Sequence, residues 1–212
     1  MLPDFLRFWG ANPAFENQWP WLLGVFVVAY LLGSVPFGMV VAKVMGLGNL
    51  RDIGSGNIGA TNVLRTGSKK AAFATLVLDA GKGAVAVLIA RAYLGEDAAQ
   101  VAALAAFLGH LFPIYLMFKG GKGVAVFLGI MLALNFWAGL AACMVWLATA
   151  LTLRMSSLSA LIASASTPIW LYVFDMPAAV WLGVILAVLV WVRHHENIAR
   201  MLRGEEPKIG KK

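Results

Sequence analysis

The stretch WPWLLGVFVVAYLLGSVPFGMVVAKVM, residues 19–45, decides the fold class. It exceeds the roughly 20 apolar residues that a helix needs to cross a membrane. Gly33, Pro36 and Gly38 in its second half permit a kink and close helix contact. The rest of the chain is similar, because 61% of its 212 residues are hydrophobic, whereas soluble domains are about half apolar. Lipid must therefore be the solvent for most of this surface, and we predict an all-α integral membrane bundle.

Further apolar runs predict seven transmembrane helices in total. The runs cover 71–91, 100–118, 124–153, 158–174 and 178–192. The run 124–153 is long for one span and short for two, and its break at residues 135–139 predicts two short helices. Polar residues predict a short loop over 91–100 and a turn at Asp175, Met176 and Pro177.

The basic residues predict the orientation of the helices. With seven crossings, fourteen lysines and arginines from Lys43 to Lys212 fall on one side, and only Arg7 and Arg91 on the other. Positive residues collect on the cytoplasmic side, so we expect the N-terminus outside and the C-terminus in the cytosol. The net charge of +7 then reflects topology, and no nucleic-acid partner is expected. We interpret residues 1–212 as one domain with an interfacial leader over 1–18 and a cytosolic tail over 193–212.

The most informative polar segment is GSGNIGATNVLR, residues 54–65. Its glycines can adopt positive φ, so that successive N–H groups can converge on an anion. Serine, threonine and asparagine add donors, and Arg65 adds a fork suited to phosphate. The alternative is a flexible turn between helices, which is the commoner use of Gly and Asn. We favour a phosphate cradle, because the donors and the arginine occur together.

Three other polar clusters lie on the same predicted side. The first joins Gly109 and His110 to a glycine loop, residues 119–123, whose two lysines either bind a ligand or mark the membrane boundary. It lacks the spacing of a Walker loop. The second, residues 154–159, has three serines suited to capping a helix.

The last cluster, residues 193–200, closes the final apolar run. His194 and Asn197 are three residues apart and share a helix face, while Glu196 and Arg200 are spaced to pair on another face. A histidine can transfer a proton near neutral pH, or it can simply anchor the helix end at the headgroups.

Other chemistries fit poorly. The three histidines have no ligand-like spacing with cysteine or carboxylate, so we predict no metal site. The single cysteine, Cys143, excludes an intrachain disulfide. A serine hydrolase elbow is missing. Asp79 and Lys82 lie three apart in an apolar run, and we expect them to pair and to be structural.

Taken together, these segments resemble the PlsY family, the bacterial acyl-phosphate:glycerol-3-phosphate acyltransferases. The resemblance covers about residues 24–206. The matching segments are 33–38, 54–65, 78–79 with 82–83, 109–110 with 119–123, 157–159, and 193–204 with Glu206.

The resemblance implies a seven-helix enzyme of the bacterial cytoplasmic (inner) membrane, with its active site on the cytosolic side. It implies transfer of a fatty acyl group from acyl phosphate to the 1-hydroxyl of sn-glycerol 3-phosphate. The products are lysophosphatidate and inorganic phosphate, in the first acylation step of phospholipid synthesis. No cofactor and no obligate protein partner are implied beyond the two substrates and membrane lipid.

The resemblance also implies roles for single residues. Catalytic roles fall on Ser55, Arg65, His194 and Asn197. Substrate-binding roles fall on Gly54, Gly56, Asn57, Gly59, Thr61, Asn62, His110, Lys122 and Ser157. Glu206 in the closing G-x-E is implied to be structural, like Asp79 and Lys82. Family members often carry a further serine where this chain has Ala160.

These roles suggest a mechanism, with one alternative function. We expect the polar loop to hold the acyl-phosphate head, and Arg65, Lys122 and Asn197 to hold the glycerol phosphate, although the two phosphates could be exchanged. Either His194 or a substrate phosphate takes the proton. The alternative is a secondary transporter of an organic phosphate, since basic sites and kinked helices also suit a carrier.

Overall fold

The computed structural model of the protein describes residues 15–210, with side chains described from residue 19. Within that range every regular element is an α-helix or a short 3₁₀ turn, with no β-strand. The all-α prediction is thereby confirmed. Residues 1–14 of the predicted leader, and the last two lysines, lie outside the described residues.

Nine α-helices follow one another along the described chain. Their bounds are α1 Phe15–Ser34, α2 Phe37–Val44, α3 Ala60–Leu64, α4 Lys69–Leu111, α5 Val124–Leu134, α6 Phe136–Leu153, α7 Ser156–Val173, α8 Val180–Arg193 and α9 His195–Leu202. The described helices fall into two compact units, residues 15–134 and 135–210.

The first unit, residues 15–134, is organised around α4. Helices α1, α2, α3 and α5 all pack against it. Close approach depends on glycine, because a Cβ on Gly33 or Gly109 would overlap backbone atoms of the facing helix, and one on Gly129 would overlap the Ala80 carbonyl. Small residues let helix backbones come together where lipid provides no hydrophobic force between helices.

Two of the predicted interruptions are present in this unit. The first apolar run breaks between α1 and α2 at Pro36, since proline lacks the N–H that a continuing helix needs. In α4 the chain departs from helical geometry at Gly95, where φ is +84°. The predicted loop over 91–100 is thus reduced to one residue, because the flanking residues remain helical.

The second unit, residues 135–210, consists of α6 to α9. Helix α7 packs against both α6 and α8. Asn135 caps α6, because its Oδ1 accepts from the Ala138 N–H at 3.0 Å, and its Nδ2 donates to the Phe174 carbonyl at 2.8 Å. This cap explains the predicted break in the apolar run 124–153. The predicted turn after α7 is also present, with Asp175 at φ +57°.

Several described helices have the length and apolarity of membrane spans. These are Trp19–Val44, Lys69–Leu116 and Phe136–Leu153, and a fourth arises if Pro177–Arg193 and His195–Leu202, bent by 61°, form one broken span. The 43 residues of α4 would extend about 65 Å as one straight helix, more than twice the roughly 30 Å of a hydrocarbon core. The break at Gly95 divides this length. The seven-crossing count stays a prediction.

Candidate functional site

The polar loop, residues 54–62, is shaped from within by Asn62. This side chain is only 1% exposed. Its Nδ2 donates to the carbonyls of Leu50 at 2.9 Å and Asn57 at 2.7 Å, and its Oδ1 accepts from the Ser55 N–H at 3.1 Å. An amide offers two donors and two acceptor sites, so most of this capacity goes to the loop itself. Asn62 therefore sets the loop conformation; its predicted contact with substrate stays a prediction.

Ser55 and Arg65 lie together at the exposed end of this loop. Both side chains are exposed. A Cβ on Gly54 would lie 2.5 Å from Cδ and Nη1 of Arg65, which places the guanidinium directly over that glycine. Gly54 is required for a second reason as well, because its φ is +54°. The loop thus exposes a hydroxyl, and it exposes a positive fork against the neighbouring glycine; the catalytic roles predicted for Ser55 and Arg65 stay predictions.

The remaining predicted residues of the loop have different local roles. Asn57 accepts from the Ile58 N–H at 3.0 Å through Oδ1, and Gly59 is the N-cap of α3. Gly56 lies at φ +65°, and Thr61 is exposed on α3. Ile58, 1% exposed, anchors the loop to the core, because its carbonyl lies against Gly38 of α2.

The glycine loop, residues 119–123, is pressed against the end of α4. The Gly121 N–H donates to the His110 carbonyl at 3.1 Å. A Cβ on Gly120 would overlap the carbonyls of His110 and Leu111, and one on Gly121 would overlap His110 Nε2. The glycines are therefore needed for close packing, and they place half-buried Lys122 next to this contact.

A buried ion cluster lies beneath the glycine loop. Lys82 Nζ lies 3.0 Å from Asp79 Oδ1, donates to the Val35 carbonyl at 2.7 Å, and lies 2.9 Å from His110 Nδ1. Asp79, Lys82 and His110 are each no more than 4% exposed. Because an ammonium group only donates, Nδ1 accepts and the ring proton of His110 is on Nε2, towards Gly121.

The cluster bears on two expectations. Asp79 and Lys82 form the pair that their spacing indicates. The ring of His110 lies buried between the ammonium group and the glycine loop, and its predicted contact with substrate stays a prediction.

The second unit has its own polar cluster, centred on Glu206. Its Oε1 accepts from Ser157 Oγ and Asn197 Nδ2, both at 2.6 Å, and its Oε2 accepts from Arg200 Nε at 2.8 Å. Burial alone would raise the pKa of Glu206, but these three hydrogen bonds and the charge of Arg200 together lower the pKa below its usual value. The carboxylate is thus held ionised among donors.

This cluster corrects two expectations. Arg200 pairs with Glu206, six residues further on, and not with Glu196. The serines were expected to cap α7, but its N-cap is Met155, without a side-chain cap bond. Ser157 instead donates to Glu206, and Ser159 Oγ donates to the Met155 carbonyl at 2.8 Å. The ionised carboxylate of Glu206 is a strong acceptor, and both the Ser157 hydroxyl and the Arg200 guanidinium donate to it.

His194 lies at the bend between α8 and α9. It is 2% exposed, and its Nδ1 is 2.7 Å from the Val190 carbonyl. A carbonyl only accepts, so Nδ1 carries the proton and Nε2 is the basic nitrogen. Asn197 is 7% exposed, so both members of the predicted pair face inward, whereas His195 is exposed.

Two arginines outside the predicted site also hold loops in place. Arg51 donates to the carbonyls of Gly56, at 3.1 Å, and Lys119. Arg154 Nη2 donates to the Ile209 carbonyl at 3.1 Å, and its own carbonyl accepts from the Ile209 N–H at 2.6 Å. In the sequence, these two arginines served only as positive charges that indicate the cytoplasmic side of the membrane. Among the described residues no group of His, Cys, Asp and Glu is arranged to hold a metal ion.

These features define the class of protein: a helical membrane protein whose polar loops present hydroxyl, arginine and lysine groups suited to anions. Comparison with known sequences specifies the family. The family profile described as glycerol-3-phosphate acyltransferase matches residues 23–204. The chain belongs to this family, which confirms the resemblance found in the sequence.

Individual relatives agree closely. A glycerol-3-phosphate acyltransferase of Cereibacter sphaeroides is 60% identical over 200 residues, covering 94% of this chain and 95% of the relative. One of Dinoroseobacter shibae is 63% identical over 188 residues, covering 89% and 93%. Each spans nearly the whole of both chains.

Two solved structures are also similar. The glycerol 3-phosphate form of PlsY, an integral membrane glycerol 3-phosphate acyltransferase, aligns with a TM-score of 0.85 and 40% identity over 89% of this chain and 96% of that one. Its lysophosphatidic acid form aligns with a TM-score of 0.82 and 38% identity, covering 89% and 95%. The integral membrane class predicted from composition is thereby confirmed.

Proposed function

We propose that this protein transfers a fatty acyl group from acyl phosphate to the 1-hydroxyl of sn-glycerol 3-phosphate, giving lysophosphatidate and inorganic phosphate. This would be the first acylation step of phospholipid synthesis. Family membership and relatives about 60% identical that are named glycerol-3-phosphate acyltransferases support the proposal. The single observation that carries it at the level of residues is the polar loop, in which Ser55 is exposed and Arg65 lies against the neighbouring residue, Gly54.

Both substrates carry a phosphate, and we assign phosphate contacts to the two loops of the first unit. The polar loop would hold the acyl-phosphate head, with the Ser55 hydroxyl donating to it. Arg65 and Lys122 would neutralise phosphate oxygens, because arginine forms bidentate hydrogen bonds with phosphate and lysine acts as a point charge. Loop N–H groups aimed at the acyl oxygen would stabilise the developing oxyanion, each by roughly 3 kcal/mol.

We assign a phosphate contact in the second unit to Asn197, whose Nδ2 has a second N–H besides the one that it donates to Glu206. Ser157 donates its one hydroxyl hydrogen to Glu206 and so helps to hold that carboxylate in place. The bond to Glu206 fixes the orientation of Asn197, and a fixed donor binds without the cost of ordering. Glu206 then acts as the positioning residue of this cluster.

The proton of the attacking hydroxyl has two candidate acceptors. His194 is one, because the hydrogen bond from Nδ1 to the Val190 carbonyl leaves Nε2 as the basic nitrogen. A phosphate oxygen of a substrate is the other, since acyl phosphate is already activated and phosphate is a good leaving group. Near-normal turnover of His194→Ala at saturating substrate would assign the step to the phosphate.

For the membrane arrangement we propose seven crossings in a bacterial inner membrane. Helices α1 with α2, the two parts of α4 on either side of Gly95, and α5 to α8 would supply them. The N-terminus would be outside, as the distribution of lysine and arginine indicates. The C-terminus, the polar loop and the glycine loop would be cytosolic. Cysteine-accessibility labelling of single-cysteine variants, made after Cys143→Ser, tests this orientation.

The decisive test of function uses purified protein in detergent. We expect release of inorganic phosphate and formation of lysophosphatidate only when acyl phosphate and glycerol 3-phosphate are both present. A carrier of organic phosphate would form no product without a closed compartment, so absence of product in this assay would overturn the proposed reaction.

Variants then test the polar loop. Ser55→Ala and Arg65→Ala should each lose most activity. Ser166→Ala and Arg203→Ala serve as matched controls, because both residues lie outside the proposed site. Ser166 Oγ donates to the Ala163 carbonyl of its own helix α7, and Arg203 is exposed. Full activity of both loop variants would remove the loop from the mechanism, even if the reaction itself is confirmed.

A further inference from the structure

We infer that Arg51 is a positioning residue, which fixes the spacing between the polar loop and the glycine loop. Its guanidinium donates through Nη1 to the Gly56 carbonyl at 3.1 Å, and through Nη2 to the Lys119 carbonyl. Lys119 lies 68 residues further along the chain. One side chain thus spans both loops to which the proposed function assigns phosphate contacts, and the inference rests on that function.

The chemistry of arginine suits this role. The guanidinium is planar, and its N–H donors have fixed directions, so two acceptors bound to it are held at a defined separation. Both acceptors are backbone carbonyls. Because neither acceptor carries a full charge, the positive charge of Arg51 is retained beside both loops. Arg51 therefore joins the loops and at the same time makes their surroundings favourable to anions.

The segment of chain that carries Arg51 is itself held in place by hydrogen bonds and burial. Arg51 lies in a 3₁₀ turn, Leu50–Asp52, whose N-cap Asn49 accepts from the Arg51 N–H at 3.1 Å. Leu50 is fully buried, and its carbonyl accepts from Asn62, the residue that shapes the polar loop. A Cβ on Gly56 would lie 3.1 Å from the Arg51 carbonyl. The turn and the polar loop therefore form one body, and the guanidinium connects it to the glycine loop.

The spacing of the loops matters because the reaction joins two phosphate-bearing substrates. Transfer requires the hydroxyl of one substrate to lie against the carbonyl of the other, and a misplacement of 1 Å can cost about a hundredfold in rate. A change in spacing need not weaken either phosphate contact taken singly. Loss of Arg51 should consequently lower kcat far more than it raises KM.

The principal test compares Arg51→Lys with Arg91→Lys in purified protein. Lysine keeps the charge but offers one nitrogen, which cannot hold two separated carbonyls as a fork does. Arg91 is the control, because it also donates to two backbone carbonyls, those of Ala133 and Leu134, and lies in the same unit; unlike Arg51, it is also paired with Glu96. Arg91 also lies far from the polar loop along the chain: roughly 33 Å of helix separates it from Lys69, where α4 begins.

For Arg51→Lys we expect kcat to fall about a hundredfold, with KM for each substrate changed by less than about threefold and thermal stability near wild type. The folded fraction of Arg91→Lys should have the wild-type kcat. A wild-type kcat in Arg51→Lys would overturn the inference. So would a large rise in KM with kcat unchanged, which would make Arg51 a direct substrate ligand.

Hydrogen exchange provides a readout independent of activity. Arg51→Lys should speed amide exchange in residues 54–62 and 119–123, whereas Arg91→Lys should leave both loops protected. Unchanged exchange in both loops would overturn the inference. If the wild type itself shows no turnover, the proposed function fails, and the exchange measurement still decides whether Arg51 joins the loops. Arg51→Ala, if it folds, should reproduce both effects more strongly.

Discussion

The two polar regions of this protein handle negative charge in opposite ways. In the polar loop of the first unit, backbone and Asn62 form the frame, while Ser55 and Arg65 are exposed at the surface. In the second unit, the chain supplies its own anion, and Glu206 binds Ser157, Asn197 and Arg200. The first arrangement is suited to receiving an external anion, and the second uses an internal anion to fix its donors.

This difference means that similar residues should respond differently to mutation. An arginine without a carboxylate partner contributes little to folding, and its loss should be felt in binding and turnover. An arginine paired with a half-buried carboxylate contributes to folding, because its removal leaves that carboxylate without its counter-charge. Variants of the two kinds of arginine therefore test the difference. Loss of stability where we expect loss of turnover, or the reverse, would contradict it.

The largest expected effect concerns the buried ion pair beneath the loops of the first unit. Lys82→Met should leave Asp79 charged and buried without its partner, which costs about 3–5 kcal/mol of stability. Thermal unfolding in detergent measures this loss. The double variant Asp79→Asn/Lys82→Met should recover part of it, and a double variant no more stable than Lys82→Met would contradict the assignment of the loss to an uncompensated charge.

Next in size is the contrast between two arginines. Arg65→Ala should lower kcat/KM by about 10²–10³-fold, equal to about 3–4 kcal/mol, without changing thermal stability. Arg200→Ala should lower thermal stability, because it removes the counter-charge of Glu206. Equal loss of stability in the two variants would show that the regions do not differ as described.

A smaller effect is expected from the charge of Glu206. The folded-state pKa of Glu206 is lower than the ordinary glutamate value of 4.5. Its ionised form therefore gives its full stabilisation of the fold at pH values above 4.5. That stability is lost as pH falls through the lower folded-state pKa. The difference in thermal stability between wild type and Glu206→Gln should therefore stay constant from pH 7 to about pH 5 and shrink as the pH falls below 4.5. A difference independent of pH would show that the charge is unimportant.

The smallest effect compares one cap from each unit. Ser68 caps α4 by accepting from the Ala71 N–H at 3.2 Å, whereas Asn135 caps α6 and also donates to the Phe174 carbonyl. Ser68→Ala should cost about 1 kcal/mol, and Asn135→Ala should cost about 1 kcal/mol more, since it also loses a hydrogen bond across two helices. Equal losses in chemical denaturation would mean that the second bond contributes nothing.

Much of the fold follows from local sequence. Long apolar runs predict helices because every backbone polar group must be satisfied within lipid. Pro36, Asn135 and Asp175 mark breaks because each favours a non-helical backbone or a cap. The predicted loop near Gly95 was too wide, since a single glycine with positive φ is enough to interrupt the helix.

The site was predicted less completely. Glycines with donors and an arginine identify the polar loop, because its motif is contiguous. The partner of Arg200 was missed, since a spacing of four favours Glu196, while the chain turns at Gly204, with φ +72°, and brings Glu206 back to the helix. Arg51 was missed because its partner Lys119 lies far along the chain.

The sequence by itself determined the helical membrane class, the family and the contiguous polar motif, because hydrophobicity, backbone preference and motif spacing are local properties. Only the tertiary structure decided which donors remain exposed and which are occupied. Ser55 and Ser157 are the same residue type, yet Ser55 is exposed in the polar loop beside Asn62, whereas Ser157 is bound to the Glu206 carboxylate. Hydrogen-bond partners that are distant in the chain are chosen by packing, and packing depends on the whole fold.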